Sequence, residues 1–259
     1  MSVFDRLQGY GFVHHRALNS HEALARTLRN VAAFPARPHV LEGDVCWDFR
    51  PGNTELCFRH PVVVFDSLSA RRIRKRIEDK TIVGLHDLDA LSDSNVCLVI
   101  ELKVGRGNMR AAMDRLVGYL EARFRGRYWI DSFSLRLLDY IKSVSPQTAV
   151  TLHTECVYRS RILAAAPQWP PPMAPKLSSL SRIDGIAIRR RGSEAFMARA
   201  CRDVHAAGKV LILSRLHTLR EFECSKVWGA KAGYMHWDMA ELFRLNDEIE
   251  ARRVAAAAE

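Results

Sequence analysis

Eight apolar runs of strand length recur along the chain, each followed by a segment of helical period or a loop, and this alternation most narrows the folds open to it. The runs are GFVHHR, PHVLEGDV, VCLVIEL, RYWIDSF, TAVTLH, IDGIAI, KVLILS and AGYMHW. Several are rich in the β-branched and aromatic residues that suit a pleated surface. Strands alternating with helices build parallel sheets, and eight parallel strands close a barrel. The predicted fold is therefore an α/β protein, a (β/α)8 TIM barrel, and the length of 259 residues is ordinary for such a barrel in one domain. The expected layout is one domain over 1–259, with the barrel core at about 11–245 and a helical tail over 246–259.

Helix signals fill the gaps. Asn19 and Glu22 stand three apart ahead of ALARTL, and Thr218 and Glu221 repeat the spacing ahead of FECSKVW, each predicting a capping box. Gly208 in HAAGKVLIL marks a helix end before a strand. Two excursions break the rhythm. One, between Asp44 and Glu101, holds the hairpin-like ELCFRHPVVVF, a basic helix in RRIRKRIEDK, and LHDLDALSDS. The other, LAAAPQWPPPMAPKLSSLS, puts a proline-rich loop in place of the fifth helix, because consecutive prolines cannot sustain helix hydrogen bonding.

Composition bounds the function. No run of eighteen apolar residues occurs, so no membrane-spanning helix is expected. The start, MSVFDRLQGYGF, has neither the basic n-region nor the long apolar h-region of a secretory signal. Six cysteines form no C-x-x-C pair, which suggests reduced thiols and a cytoplasmic protein. The formal charge of +10 implies an anionic partner. RRIRKRIEDK has six basic and two acidic residues, a pattern that fits a nucleic-acid or anionic-membrane binder without catalysis. It lacks aromatic residues for base stacking, and Ile73 and Ile77 stand four apart, as in an amphipathic helix packed on the barrel. Nucleic acid is accordingly not expected as the principal partner. Peripheral membrane contact and the oligomeric state stay open.

Barrel active sites lie at the C-terminal ends of the strands. There the sequence places His15 and Arg16, Glu42 and Asp44, His60, Glu101 and Lys103, His153, and the run His236, Trp237, Asp238. Glu42 and Asp44, two apart on a strand, point to one face, and Glu101 projects from the neighbouring strand. Three carboxylates suit Mg²⁺ or Ca²⁺ better than zinc. His15 and His60 are candidates for acid and base near neutral pH. Adjacent strand residues face opposite sides, so only one of His14 and His15 enters the site. Trp237 and Asp238 are candidates for shielding the substrate and orienting a catalytic group.

The ordered set H-R, E-x-D, a further histidine, then an apolar strand ending E-x-K resembles the glycerophosphodiester phosphodiesterase family, whose barrel is related to phosphatidylinositol-specific phospholipase C. WIDSFSLRLLDYIKSVSPQTAVTL and HAAGKVLILSRLHTLREFECSKVWGAKAGYMHWD are similar to later parts of that family. The resemblance implies a metal-dependent phosphodiesterase: His15 and His60 catalytic, Glu42, Asp44 and Glu101 holding one divalent cation, and Arg16 and Lys103 on the phosphate. His153, Trp237 and Asp238 join the substrate pocket. The implied substrate is a glycerophosphodiester or a related small or lipid-derived phosphodiester. The short stretch between His60 and Glu101 is similar to the spider-toxin type of phospholipase D, which implies as an alternative a phosphoryl transfer giving a cyclic phosphate.

Overall fold

Alternate residues of the apolar runs turn to opposite sides, and in the computed structural model this parity builds two hydrophobic layers. The structure describes residues 2–7, 9–47, 55–60, 69–103, 110–163, 176–236 and 239–258. Eight strands form the barrel: β1 (Gly11–His14), β2 (His39–Trp47), β3 (Cys97–Leu102), β4 (Tyr128–Ser132), β5 (Ala149–Thr154), β6 (Gly185–Arg189), β7 (Val210–Leu216) and β8 (Ala232–Met235). Each pairs in parallel with the next, and β8 returns to β1 through Gly11↔Ala232 to His14↔Met235, closing the ring. All eight coincide with the predicted runs.

One face of each strand lines the barrel interior. Val13, Val40, Val99, Trp129, Ala187, Ile212 and Tyr234 pack there, and the short helix Val3–Arg6 plugs the N-terminal end, with Phe4 against Trp129 at 5.4 Å. The other face packs under the helices His21–Ala33, Arg110–Phe124, Leu135–Val144, Glu194–Ala206, Leu219–Val227 and Met239–Ala258 in a second, larger core. The predicted tail is thus the end of a helix that begins at Met239. Thr218 and Glu221 form their capping box, and Gly208, at φ +68°, follows the end of Glu194–Ala206. Asn19 does not cap. Ser20 does so instead, its hydroxyl accepting from the Ala23 N–H, which frees Asn19 for another task.

The first excursion grows out of the sheet. Leu56–Phe58 runs antiparallel to the end of β2, and Val83–Gly84 pairs with Leu56–Phe58 in turn. The basic segment is a helix, Ala70–Glu78, that buries Ile73 against Cys57 and Ile82, as its amphipathic spacing predicts. A hairpin, Cys156–Tyr158 with Arg161–Leu163, leads into the second excursion, whose described residues hold a single 3-10 turn, Leu177–Ser179, and no α-helix. The hairpin's turn, Arg159 and Ser160, has both φ values positive, the conformation that a two-residue hairpin favours. The prolines of that excursion lie outside the described residues. None of the described helices is long and apolar enough to cross a membrane.

Candidate active site

Following the interior parity upward, the apolar layer gives way to polar side chains at the C-terminal mouth. Val40 leads to Glu42 and Asp44, Val99 to Glu101, Trp129 to Asp131, Ile212 to Ser214. Glu42, Asp44 and Asp131 are fully buried and Glu101 is 4% exposed. Buried acids must be paired, hydrogen-bonded or matched to a cation, so these positions demand an explanation.

Glu42, Asp44 and Glu101 converge, each offering a carboxylate oxygen within 4.8 Å of the others'. The Arg16 backbone N–H donates to Glu42 Oε2, and Arg16 sits at φ +59°, off the usual range for a side-chain-bearing residue. Glu42 Oε1 is buried with no hydrogen-bond partner. Asp44 Oδ2 accepts from Asn19 Nδ2 at 2.6 Å, while the Asp44 N–H donates to Asn19 Oδ1 at 2.9 Å. Asn19 is therefore a clamp on a site acid, where the sequence suggested a helix cap. Lys103 Nζ lies 2.7 Å from Asp44 Oδ1 and also contacts Glu101.

Electrostatics follow from this packing. Burial, then the neighbouring Asp44 and Glu101, push the Glu42 carboxyl well above its ordinary value. Burial also raises Glu101, against the pull of Lys103. For Asp44 burial is outweighed by Lys103 and Asn19, which hold it below the usual carboxylate range. Burial alone would lower Lys103, yet the two acids beside it raise it. Lys103 pairs with Asp44 and Glu101 but not with Glu42, whose Oε1 is left bare. The all-oxygen set of three carboxylates fits a hard divalent cation such as Mg²⁺ or Ca²⁺.

Above the acids a cavity of about 150 Å³ is walled by His15, Arg16, His60, Glu101, Lys103 and His153 among others. Seven of the residues singled out from sequence, His236 included, thus meet at one mouth, with Glu42 and Asp44 beside Glu101. His15, not His14, enters the site: its ring packs on His236 with centroids 4.2 Å apart, while His14 turns away and bonds His39 at 2.9 Å. Burial first, then His236 and the nearby cations, lower His15 to about 3. His60 is exposed at the rim, two residues past Phe58, and the N–H of Arg59 donates to the Asp44 carbonyl at 2.8 Å. Trp237 and Asp238 lie outside the described residues.

Sequence reasoning missed several members. Asp131 accepts from Thr151 Oγ1 at 2.9 Å and from the Tyr234 hydroxyl at 2.8 Å, and lies 3.0 Å from His153 Nδ1. His153 Nε2 is 3.1 Å from Ser214 Oγ. Burial pulls the His153 imidazole down, but the Asp131 carboxylate outweighs it and raises the group. Arg189 and Arg191 are ion-paired with Glu155, and Arg190 with Glu221. A larger cavity of about 580 Å³ sits at the other end of the barrel. Two of its arginines are already engaged, Arg37 by Asp247 and Arg127 by the carbonyls of Ser92 and Ser94.

No protein-family model and no curated protein sequence matches the chain. Solved structures do. A glycerophosphodiester phosphodiesterase from Parabacteroides distasonis superposes with a TM-score of 0.65 at 13% identity, over 93% of this chain and 99% of its own. An Oleispira antarctica phosphodiesterase in complex with the product sn-glycerol-3-phosphate gives 0.63 at 16% identity, over 91% and 95%. A glycerophosphodiester phosphodiesterase from Agrobacterium tumefaciens gives 0.56 at 12%, over 87% and 96%. At these identities the likeness is one of fold, and it agrees with the barrel built from the strand pattern.

Proposed function

We propose that the chain is a phosphoric diester hydrolase acting on a glycerophosphodiester or a related small phosphodiester. The observation that carries this reading is the trio of buried carboxylates, Glu42, Asp44 and Glu101, at the floor of a mouth walled by imidazoles and cationic side chains. A neighbour in fold that holds sn-glycerol-3-phosphate as its product supports a small phosphodiester as substrate.

Glu42, Asp44 and Glu101 would hold one divalent cation, whose chemistry, when bound, is Lewis-acid stabilisation of charge on a phosphoryl oxygen. The remaining work falls to the side chains. His15, at the wall of the mouth beside the acids, would take the proton of the attacking hydroxyl. His60 stands at the rim, where a leaving alcohol departs, and returns a proton to it. Arg16 and Lys103 neutralise phosphoryl oxygens, and the enclosing walls hold the diester in line. Asn19 and the Arg16 N–H fix the rotamers of Asp44 and Glu42 before any ligand arrives.

The test is a panel of phosphodiesters followed by phosphorus NMR with Mg²⁺, Ca²⁺ or EDTA, using the wild type and His15→Asn. Cation-dependent release of a phosphomonoester, lost in the variant, is expected. Turnover indifferent to EDTA and to His15→Asn would falsify the proposal, and a cyclic product would redirect it to internal phosphoryl transfer.

A further inference from the structure

Across the barrel from the three carboxylates, a chain of buried polar groups ends on one hydroxyl that the proposed reaction leaves unused. The acids stand on β2 and β3. Ser214 stands on β7, on the far side of the ring, and lines the same cavity as Glu101. The chain begins at Asp131, a fully buried carboxylate that accepts from Thr151 and Tyr234 and faces His153 Nδ1 at 3.0 Å. A carboxylate only accepts, so Nδ1 carries the proton in that contact. The ring is thereby fixed with Nε2 directed at Ser214 Oγ, 3.1 Å away, and Phe133 stacks on its face at 4.4 Å.

A serine hydroxyl has one proton and two lone pairs. With Nε2 protonated, Ser214 accepts from it and must place its own proton elsewhere. The protein offers the Ile188 carbonyl at 3.5 Å, the outer limit of a hydrogen bond. The other direction is the cavity. The Asp131 carboxylate raises His153, which favours this arrangement.

The backbone gives an independent pointer. Between Leu213 and Leu216 the register of β7 on β8 shifts, with Arg215 at φ +63°. A left-handed residue that bears a side chain is costly, and bulges of this kind re-aim side chains beside active sites. Here the irregularity falls on Ser214 and on Arg215, which also lines the cavity.

We infer that the Ser214 hydroxyl is a substrate-binding donor to a non-bridging phosphoryl oxygen, on the wall opposite the carboxylate trio, with His153 and Asp131 as its positioning residues. The phosphate would be grasped from two sides, from the acid side by Lys103 and Arg16 and from β7 by an oriented hydroxyl. This rests on the phosphodiester reading for the identity of the ligand.

The experiment is calorimetric titration of the full chain with inorganic phosphate in the presence of Mg²⁺, alongside thermal melting. Ser214→Ala should weaken phosphate binding about tenfold, the loss expected for one hydrogen bond to a charged group. Ser214→Thr, which keeps the hydroxyl, should restore it, and both should melt near the wild type. Asp131→Asn should weaken phosphate by a similar factor, and Ser214→Ala should add little on top of it, because both act through one hydroxyl. Wild-type affinity in Ser214→Ala, absence of phosphate binding by the wild type, or covalent capture of Ser214 by a fluorophosphonate would each overturn the inference. The two proposals separate cleanly. Phosphate binding that depends on Ser214, in a chain that cleaves no diester, sustains this role and removes the hydrolase reading. Diester turnover indifferent to Ser214→Ala does the reverse.

Discussion

Replacing Glu42 with glutamine should leave the cation-free protein as stable as the wild type, or more so, while abolishing its response to divalent cations. Glu42 is fully buried, one of its oxygens has no hydrogen-bond partner, and two acids stand beside it. In EDTA the wild type must either bury that charge or bind a proton to remove it, and a neutral amide avoids both. Leaving one buried polar group unsatisfied costs about 1–3 kcal/mol, so the variant starts with no deficit. With cation at about 100 times its dissociation constant, the wild type gains about 2.7 kcal/mol. For a chain of this size that is a rise of about 5–10 °C in Tm. The assay is thermal melting by circular dichroism at pH 7.5, with EDTA and then with Mg²⁺ or Ca²⁺. A Glu42→Gln protein that melts well below the wild type in EDTA, yet keeps the full cation-induced rise, would refute the assignment of Glu42 as a ligand.

Asn19→Ala removes both hydrogen bonds that clamp Asp44 and should cost about 1–3 kcal/mol in urea unfolding, together with part of the cation-induced rise in Tm. An unchanged urea midpoint would mean the clamp contributes nothing. Gly43→Ala puts a methyl group 2.7 Å from Phe58 Cδ1 and 2.8 Å from Leu18 Cβ, so about 1–3 kcal/mol of overpacking is expected between two site acids, read as a lower Tm and weaker cation response. The His14–His39 pair should govern part of the acid sensitivity. Burial first, then His39, lowers His14 to about 3, and burial lowers His39 as well. Groups lowered on folding bind fewer protons folded than unfolded, so their stabilisation is complete above pH ~6.5 and is lost as pH falls toward 3. The slope is up to about 1.4 kcal/mol per pH unit for each histidine. His14→Leu with His39→Leu should flatten urea-measured stability between pH 6.5 and 4, and an unaltered slope would count against the pair.

The barrel was legible because hydrophobic period and strand length agree in all eight runs, and closure demands nothing further. The acids were legible for a related reason: Glu42, Asp44 and Glu101 interrupt strongly apolar strands, where a charge needs a purpose. Asn19 was misread because Asn19 and Ser20 are adjacent and either side chain can cap a helix. Only the fold shows that Ser20 reaches the Ala23 N–H while Asn19 meets a strand 25 positions on. Asp131 and Ser214 escaped because each is the lone candidate in its run, RYWIDSF and KVLILS, with no second acid or imidazole beside it to mark a site. Continuing the alternation from Trp129 to Asp131 and from Ile212 to Ser214 would have found them. That Arg16 serves through its peptide N–H was invisible in sequence, since any residue type supplies that group.

The strand Leu56–Phe58 gives His60 an anchor independent of whatever follows it. Its pairing with Val45–Trp47, and the bond from Arg59 to the Asp44 carbonyl, tie the imidazole's starting point to the same ribbon that bears two of the acids. Insertions or deletions after residue 60 can therefore remodel the rim without displacing His60. A lineage built on this plan is free to vary what the mouth admits by editing one surface segment, while the acids beneath it stay where they were.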